Sequence, residues 1–236
     1  MGDNVWREEQ EWPLARAKPT DYYFHSQGKA NSLNGNGTLS DQPPAEEAPD
    51  VFLYNPADPV PTRGGPLCCN LHFAASGAFE QSEIEAREDV LVYTTPPLER
   101  EIEVTGPVTV TLWAATSATD TDFTAKLVDV WPSGYAMNLC DGIIRARYRE
   151  GMIEPSLLAP GRIYRYEIDV GVTGNVFRTG HCIRIEISSS NFPCYDRNLN
   201  TGNNLATDTE MRAAVQTVLH SHTHPSHVRL PVIPQA

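Results

Sequence analysis

From Asp89 onward, apolar and polar residues alternate with a period of two, and the apolar positions are rich in β-branched side chains. The pattern runs through DVLVYTT (89–95), REIEVTG (100–106), PVTVTLWAAT (107–116), DFTAKLVDVW (122–131), DGIIRARY (141–148), RIYRYEIDV (162–170) and HCIRIEISSS (181–190). In the last of these, Ile183, Ile185 and Ile187 alternate with Arg184, Glu186 and Ser188, which predicts one face in a core and the other toward solvent. Such alternation is the pattern of antiparallel strands in a sandwich. Turn-forming residues divide the stretches at TGP (105–107), PSG (132–134), PG (160–161) and TG (173–174 and 179–180). The segment Asp208–Val218 fits a short helix, but Ala213, Val215, Thr217 and Leu219 also alternate, and a strand ending near His220 is favoured. VRLPVI (228–233) reads as a final strand, and Pro231, lacking an N–H, suggests a sheet edge.

Upstream the pattern weakens. Residues 1–25 carry Trp6, Trp12, Tyr22, Tyr23 and Phe24, a density of aromatics that points to a surface packed against something. Residues 28–50 are rich in Gly, Asn, Ser and Pro and read as loop around at most one short strand. The prolines at 56, 59, 61 and 66 then predict an extended loop crossing the surface. The domain reading is therefore an aromatic and loop-rich segment, 1–50, packing on the sandwich or on a partner, followed by the sandwich itself, 51–236.

Composition narrows the function. A formal charge of −12 and no Lys/Arg-rich run exclude a phosphate-tracking surface, so no nucleic-acid partner is expected. The longest apolar runs fall far short of the roughly 20 residues of a membrane helix, and the N-terminus lacks the apolar core of a signal peptide. The chain reads as soluble and cytoplasmic. Five cysteines without regular spacing, two of them adjacent at 68 and 69, fit buried thiols better than a disulfide framework.

Candidate chemistry is sparse. No GxSxG pentapeptide occurs, so the nucleophile elbow of an α/β-hydrolase is missing and no catalytic residue is assigned. Serines 188–190 near His181 fit local hydroxyl–backbone bonding rather than a triad. Asp120, Asp122 and Asp141 stand at strand ends where loop oxygens can hold calcium, or where aspartates cap turns and pair with Arg145 or Arg147. His220, His222 and His224 would share a strand face and could converge on a metal, or be solvated and packing residues, as His227 would be. The loop NFPCYDRNLNTG (191–202) gathers Asn191, Tyr195, Asp196, Arg197 and Asn198, a set suited either to ligand binding or to an internally bonded turn. No cofactor is called for.

Several ordered strings resemble one family. MGDNVWREEQEWP (1–13), YNPADPVPTRGG (54–65), DVLVYTTPPLE (89–99), DTDFTAKLVDVWPSGYAMNLCDGIIRARYRE (120–150), PGRIYRYEID (160–169), GHCIRIEISSSNFPCYDRNLNTG (180–202) and HPSHVRLPVIP (224–234) are similar to the C-terminal domain of the X-Pro dipeptidyl-peptidase and cocaine-esterase (CocE/NonD) class of serine hydrolases. The resemblance implies a jelly-roll, galactose-binding-like β-sandwich, packed on an α/β-hydrolase domain that holds the catalytic Ser, Asp and His. None of those three maps onto a residue of this chain. It also implies that Met1 is an internal position of its motif, with the hydrolase lying upstream or on a separate subunit, and that Trp6, Trp12, Tyr22 and Tyr23 face that partner or a second copy. An independent carbohydrate-binding module, using Tyr195 with Asn191, Asp196 and Asn198, is the alternative.

Overall fold

The protein was analysed as a computed structural model, which describes residues 1–67 and 75–234; Cys68 and Cys69 lie outside the described residues. Its strands in chain order are β1 (Lys18–His25), β2 (Thr38–Ser40), β3 (Asp50–Tyr54), β4 (Leu91–Thr94), β5 (Ile102–Thr116), β6 (Asp122–Val130), β7 (Ala136–Arg145), β8 (Tyr164–Phe177), β9 (Cys182–Ser188), β10 (Ala214–Ser221), β11 (His224–Pro225) and β12 (His227–Ile233). One helical turn, α1 (Ser82–Glu85), and a 3-10 turn at Ala146–Tyr148 complete the regular structure. No helix among the described residues is long and apolar enough to cross a membrane.

The architecture is the all-β, mostly antiparallel sandwich that the alternation predicts. Hydrogen-bonded neighbours run β8-β5-β12-β1-β2-β4-β9-β6-β7, with β10 beside the C-terminal part of β5 and β3 beside β10. The sheet rolls until its two ends, β7 and β8, pack together. That contact explains Gly142: a Cβ there would stand 1.8 Å from the carbonyl oxygen of Asp169. Phe24, Tyr93, Leu112, Phe123, Tyr166, Ile168, Ile185 and Leu230 fill the interior without solvent exposure beyond 1%.

Four expectations change. The turn signals at 105–107 and 173–174 are not turns; they face each other inside the long β5–β8 pair, Thr105 opposite Gly174 and Pro107 opposite Val172. Glycine and proline interrupt a ladder without ending it where the neighbouring strand leaves room. Here β12 shifts register against β5 between Arg229 and Val232, and a Cβ on Gly106 would already touch Pro231 at 3.0 Å. For the same reason β12 is not an edge: it lies between β5 and β1, with Pro231 opposite Pro19, so that position loses no ladder bond that either residue could make. Strands β1 and β3 arise in segments that lack a clear period.

The polar face of β9 is the fourth change. Arg184, Glu186 and Ser188 are buried, not solvated, because residues 55–67 and 75–90 lie over that face. Val60, Ile84, Val90 and Val92 form a small core of their own there. The charges pair within the layer: Arg184 donates to Glu85 at 2.6 Å, and Lys126 donates to Gln81 at 2.7 Å and pairs with Glu186 at 3.2 Å, while Oε1 of Glu85 and of Glu186 has no hydrogen-bond partner among the described residues.

Candidate functional site

The loop after β9 folds back on the loop before β6. Asn198, 1% exposed, donates from one carboxamide nitrogen to Asp120 at 2.7 Å and to Asp122 at 2.8 Å. Each aspartate also receives an arginine: Arg147 bonds Asp120 at 2.8 Å, and Arg145 bonds Asp122 through two 3.0 Å contacts before reaching Asp196 at 2.9 Å. Burial pushes Asp122 up to about 6, even though Arg145 and Asn198 favour its ionised form. Asp141 is held separately, by Asn191 at 3.0 Å, and burial raises it against the pull of Lys126. The three aspartates thus do not converge. Among the described residues, no three His, Cys, Asp or Glu side chains gather as a metal-binding group.

The other loop residues are spent in the same way. Asn191 is buried, and Arg197 donates to the carbonyl of Pro56 at 3.1 Å while lying 5.6 Å from the ring centre of Phe192. Tyr195 is half-buried, with its backbone N–H on the carbonyl of Asn191, and burial raises its phenol. Asp196 is exposed. The set ties the loop to the sandwich rather than presenting one open face. Serines 188 and 190 bond backbone groups of Asp89 and Val60, and His181 bonds Asp129 at 2.8 Å, not a serine.

The histidines likewise diverge. His222 pairs with Glu46 on the surface, His224 meets the edge of Trp113, and His227 bonds the carbonyl of Pro225. His220 is fully buried in a network that sequence reasoning missed: its Nε2 lies 2.9 Å from Asp50 and 3.2 Å from Ser26, and its Nδ1 lies 3.2 Å from Glu47. Ser, His and acid meet here without forming a hydrolytic triad. Nε2 is committed to Asp50, and Ser26 Oγ donates to that same carboxylate, so the imidazole cannot take the serine's proton. No sequence signal links these groups, because Ser26 and His220 are 194 residues apart, His220 at the end of an expected strand and Ser26 beside a loop-rich stretch.

One surface remains open. Trp6 is 99% exposed and Trp12 57%, on a segment that runs along β5 and β8. That segment is pinned by Arg7 to Glu103, Arg16 to Glu9 and Arg178 to Asp3, and the N–H of Val176 donates to the carbonyl of Met1 at 3.3 Å. Beneath it lies a cleft of about 670 Å³ lined by Val5, Trp6, Trp12 and Val176. On the other side of Met1–Asn4, a second cleft of about 550 Å³ is lined by Trp131, Met137 and His181. Tyr22 and Tyr23 do not join this face: they are half-buried in β1, Tyr22 against the core and Tyr23 against His227.

Comparison with known proteins bears on this arrangement. Residues 1–229 match the family described as the X-Pro dipeptidyl-peptidase C-terminal non-catalytic domain. The chain is 48% identical to a cocaine esterase of Rhodococcus sp. (strain MB1 Bresler), over 99% of its own length and 41% of that protein's. Among solved structures, an aminopeptidase from the marine sediment archaeon Thaumarchaeota archaeon superposes with a TM-score of 0.86 at 30% identity, covering 99% of this chain and 39% of that one. An α-amino acid ester hydrolase does so with a TM-score of 0.86 at 28% identity, covering 98% and 40%.

Proposed function

Because the chain belongs to the family of X-Pro dipeptidyl-peptidase C-terminal non-catalytic domains, we propose that it serves an α/β-hydrolase-type serine esterase or peptidase, seated on the catalytic domain through the tryptophan face. The observation that carries this reading is the pinned segment bearing Trp6 and Trp12. Ion pairs fix its backbone, yet its large apolar side chains face outward over an apolar cleft. Preorganised tryptophans of this kind are what a buried interface uses for most of its binding energy. The relatives supply the matching partner, since this chain spans about two fifths of their length. The same reading puts the domain in the cytoplasm with its hydrolase, which the free thiols of Cys140, Cys182 and Cys194 support. A sugar-binding module is less well supported, because Asn191 and Asn198 are buried and already bonded.

A chimera tests the seat. With this chain in place of the corresponding part of the Rhodococcus esterase, the enzyme should turn over p-nitrophenyl esters, whereas this chain alone should not. Trp6→Ala with Trp12→Ala should lower the melting temperature of the chimera, at about 2 kcal/mol per tryptophan, and leave that of the isolated chain unchanged at dilutions where it is monomeric. Ester turnover by the isolated chain, or a chimera indifferent to both substitutions, would count against the reading.

A further inference from the structure

Residues 41–49 join β2 to β3 and lie across the ends of β1 and β10, where two histidines meet one glutamate. His25 Nδ1 is 2.7 Å from Glu47 Oε1, and its Nε2 is 3.0 Å from the carbonyl oxygen of Gln42. His220 Nδ1 is 3.2 Å from Glu47 Oε2, and its Nε2 is 2.9 Å from Asp50 Oδ2. We propose that residues 41–49 form a pH-released strap, closed while His220 is doubly protonated between Asp50 and Glu47 and freed on the alkaline side.

The chemistry of the partners requires those protons. A carbonyl oxygen and an ionised carboxylate only accept, so each ring nitrogen facing one must donate. Both carboxylates have the surroundings of anions. Glu47 also accepts the N–H of Ser26 at 3.0 Å, and Asp50 accepts the N–H of Ala30 at 2.7 Å and the hydroxyls of Ser26 and Tyr93 at 2.8 Å each. His220 as an imidazolium thus sits between two carboxylates, Asp50 and Glu47. Of the elements packed around them, β4 contributes Tyr93, whose ring meets His220 edge-on, and β10 contributes His222, which pairs with Glu46 outside. Removing a proton from either ring turns a lone pair toward a carboxylate or carbonyl and leaves a carboxylate without its counterion.

The direction of release follows. Burial opposes the charge on His220, but the hydrogen bond and charge of Asp50, then Glu47, outweigh it and raise its pKa above the ordinary 6.5. A raised imidazole holds the strap fully below 6.5 and gives up that hold as pH climbs through the raised value. Burial likewise opposes the charge on Asp50, yet its bonds to His220, Ala30, Tyr93 and Ser26 depress it below 3.8. The contribution of Asp50 is therefore kept down to 3.8 and lost only as pH falls through that depressed value.

Amide hydrogen exchange of the full chain, corrected for the intrinsic effect of pH, reads the strap directly. From about pH 6 to about pH 9, the amides of Ser26 and His222, which donate to Glu47 and to the carbonyl of Ala45 in the strap, should lose ~10-fold or more of their protection, the equivalent of one charged hydrogen bond, while β5 and β6 keep theirs. Glu47→Gln should give the fast strap at both values. The milder His25→Gln, at a partly exposed site, should shift the response without unfolding the core. Imidazole ¹⁵N spectra at about pH 6 should show both nitrogens of His220 protonated. Amides of Ser26 and His222 equally protected at both pH values, a Glu47→Gln variant that keeps the wild-type response, or a singly protonated His220 ring at about pH 6 would overturn the proposal.

Discussion

The carboxamide of Asn198 stands between Asp120 and Asp122, each of which already has its own arginine. Replacing it with alanine leaves two adjacent buried carboxylates one donor short, so Asn198→Ala should cost about 2–3 kcal/mol in urea unfolding. Glu85 makes a pH prediction of known sign. Burial first, then repulsion from Glu186, push it up to about 7 against the pull of Arg184. A carboxyl raised in the folded state contributes stability that is complete below its ordinary 4.5 and is lost as pH rises to about 7. Asp122, raised to about 6, acts with the same sign between 3.8 and 6. Melting temperature measured across this range should therefore fall less steeply in Glu85→Gln than in the wild type.

At the scale of elements, β1 is the least expected and among the most constrained. It pairs with β12 from Lys18 to Tyr23 and with β2 from Tyr23 to His25, which makes it an interior strand. A chain beginning at Gln27 should accordingly lose cooperative unfolding by circular dichroism, because β12 and β2 would each face an open edge. A chain beginning at Lys18 should keep a cooperative transition. The contact between β7 and β8 is equally specific: Gly142→Ala would drive a methyl into the carbonyl of Asp169 and should cost about 3 kcal/mol.

For the whole molecule, the balance between covered and uncovered surface decides behaviour. Residues 55–67 and 75–90 cover the polar face of β9, whereas none of the described residues covers Trp6. Purified alone, the chain should associate through that face as its concentration rises. Light scattering should return the monomer mass once both Trp6 and Trp12 are replaced by serine. The −12 charge works against association at low salt, so added salt should strengthen it.

The strand content, the hairpin turn at 132–134, the interior faces of β6 and β9, and the absence of a nucleophile elbow were all legible in the sequence. Alternation and turn chemistry are local and leave their mark in neighbouring residues. Only the tertiary structure decided that Gly106 and Gly174 sit inside strands, that β12 is interior, that Arg184 and Glu186 are buried, and that Asn198 rather than a cation joins Asp120 to Asp122. Each of these depends on what a distant segment places opposite, such as Pro231 beside Gly106 or Glu85 beside Arg184. The histidine pattern around 220–227 misled for the same reason: spacing puts imidazoles on one strand, but the carboxylates of Glu46, Glu47 and Asp50 determine which way each is bound.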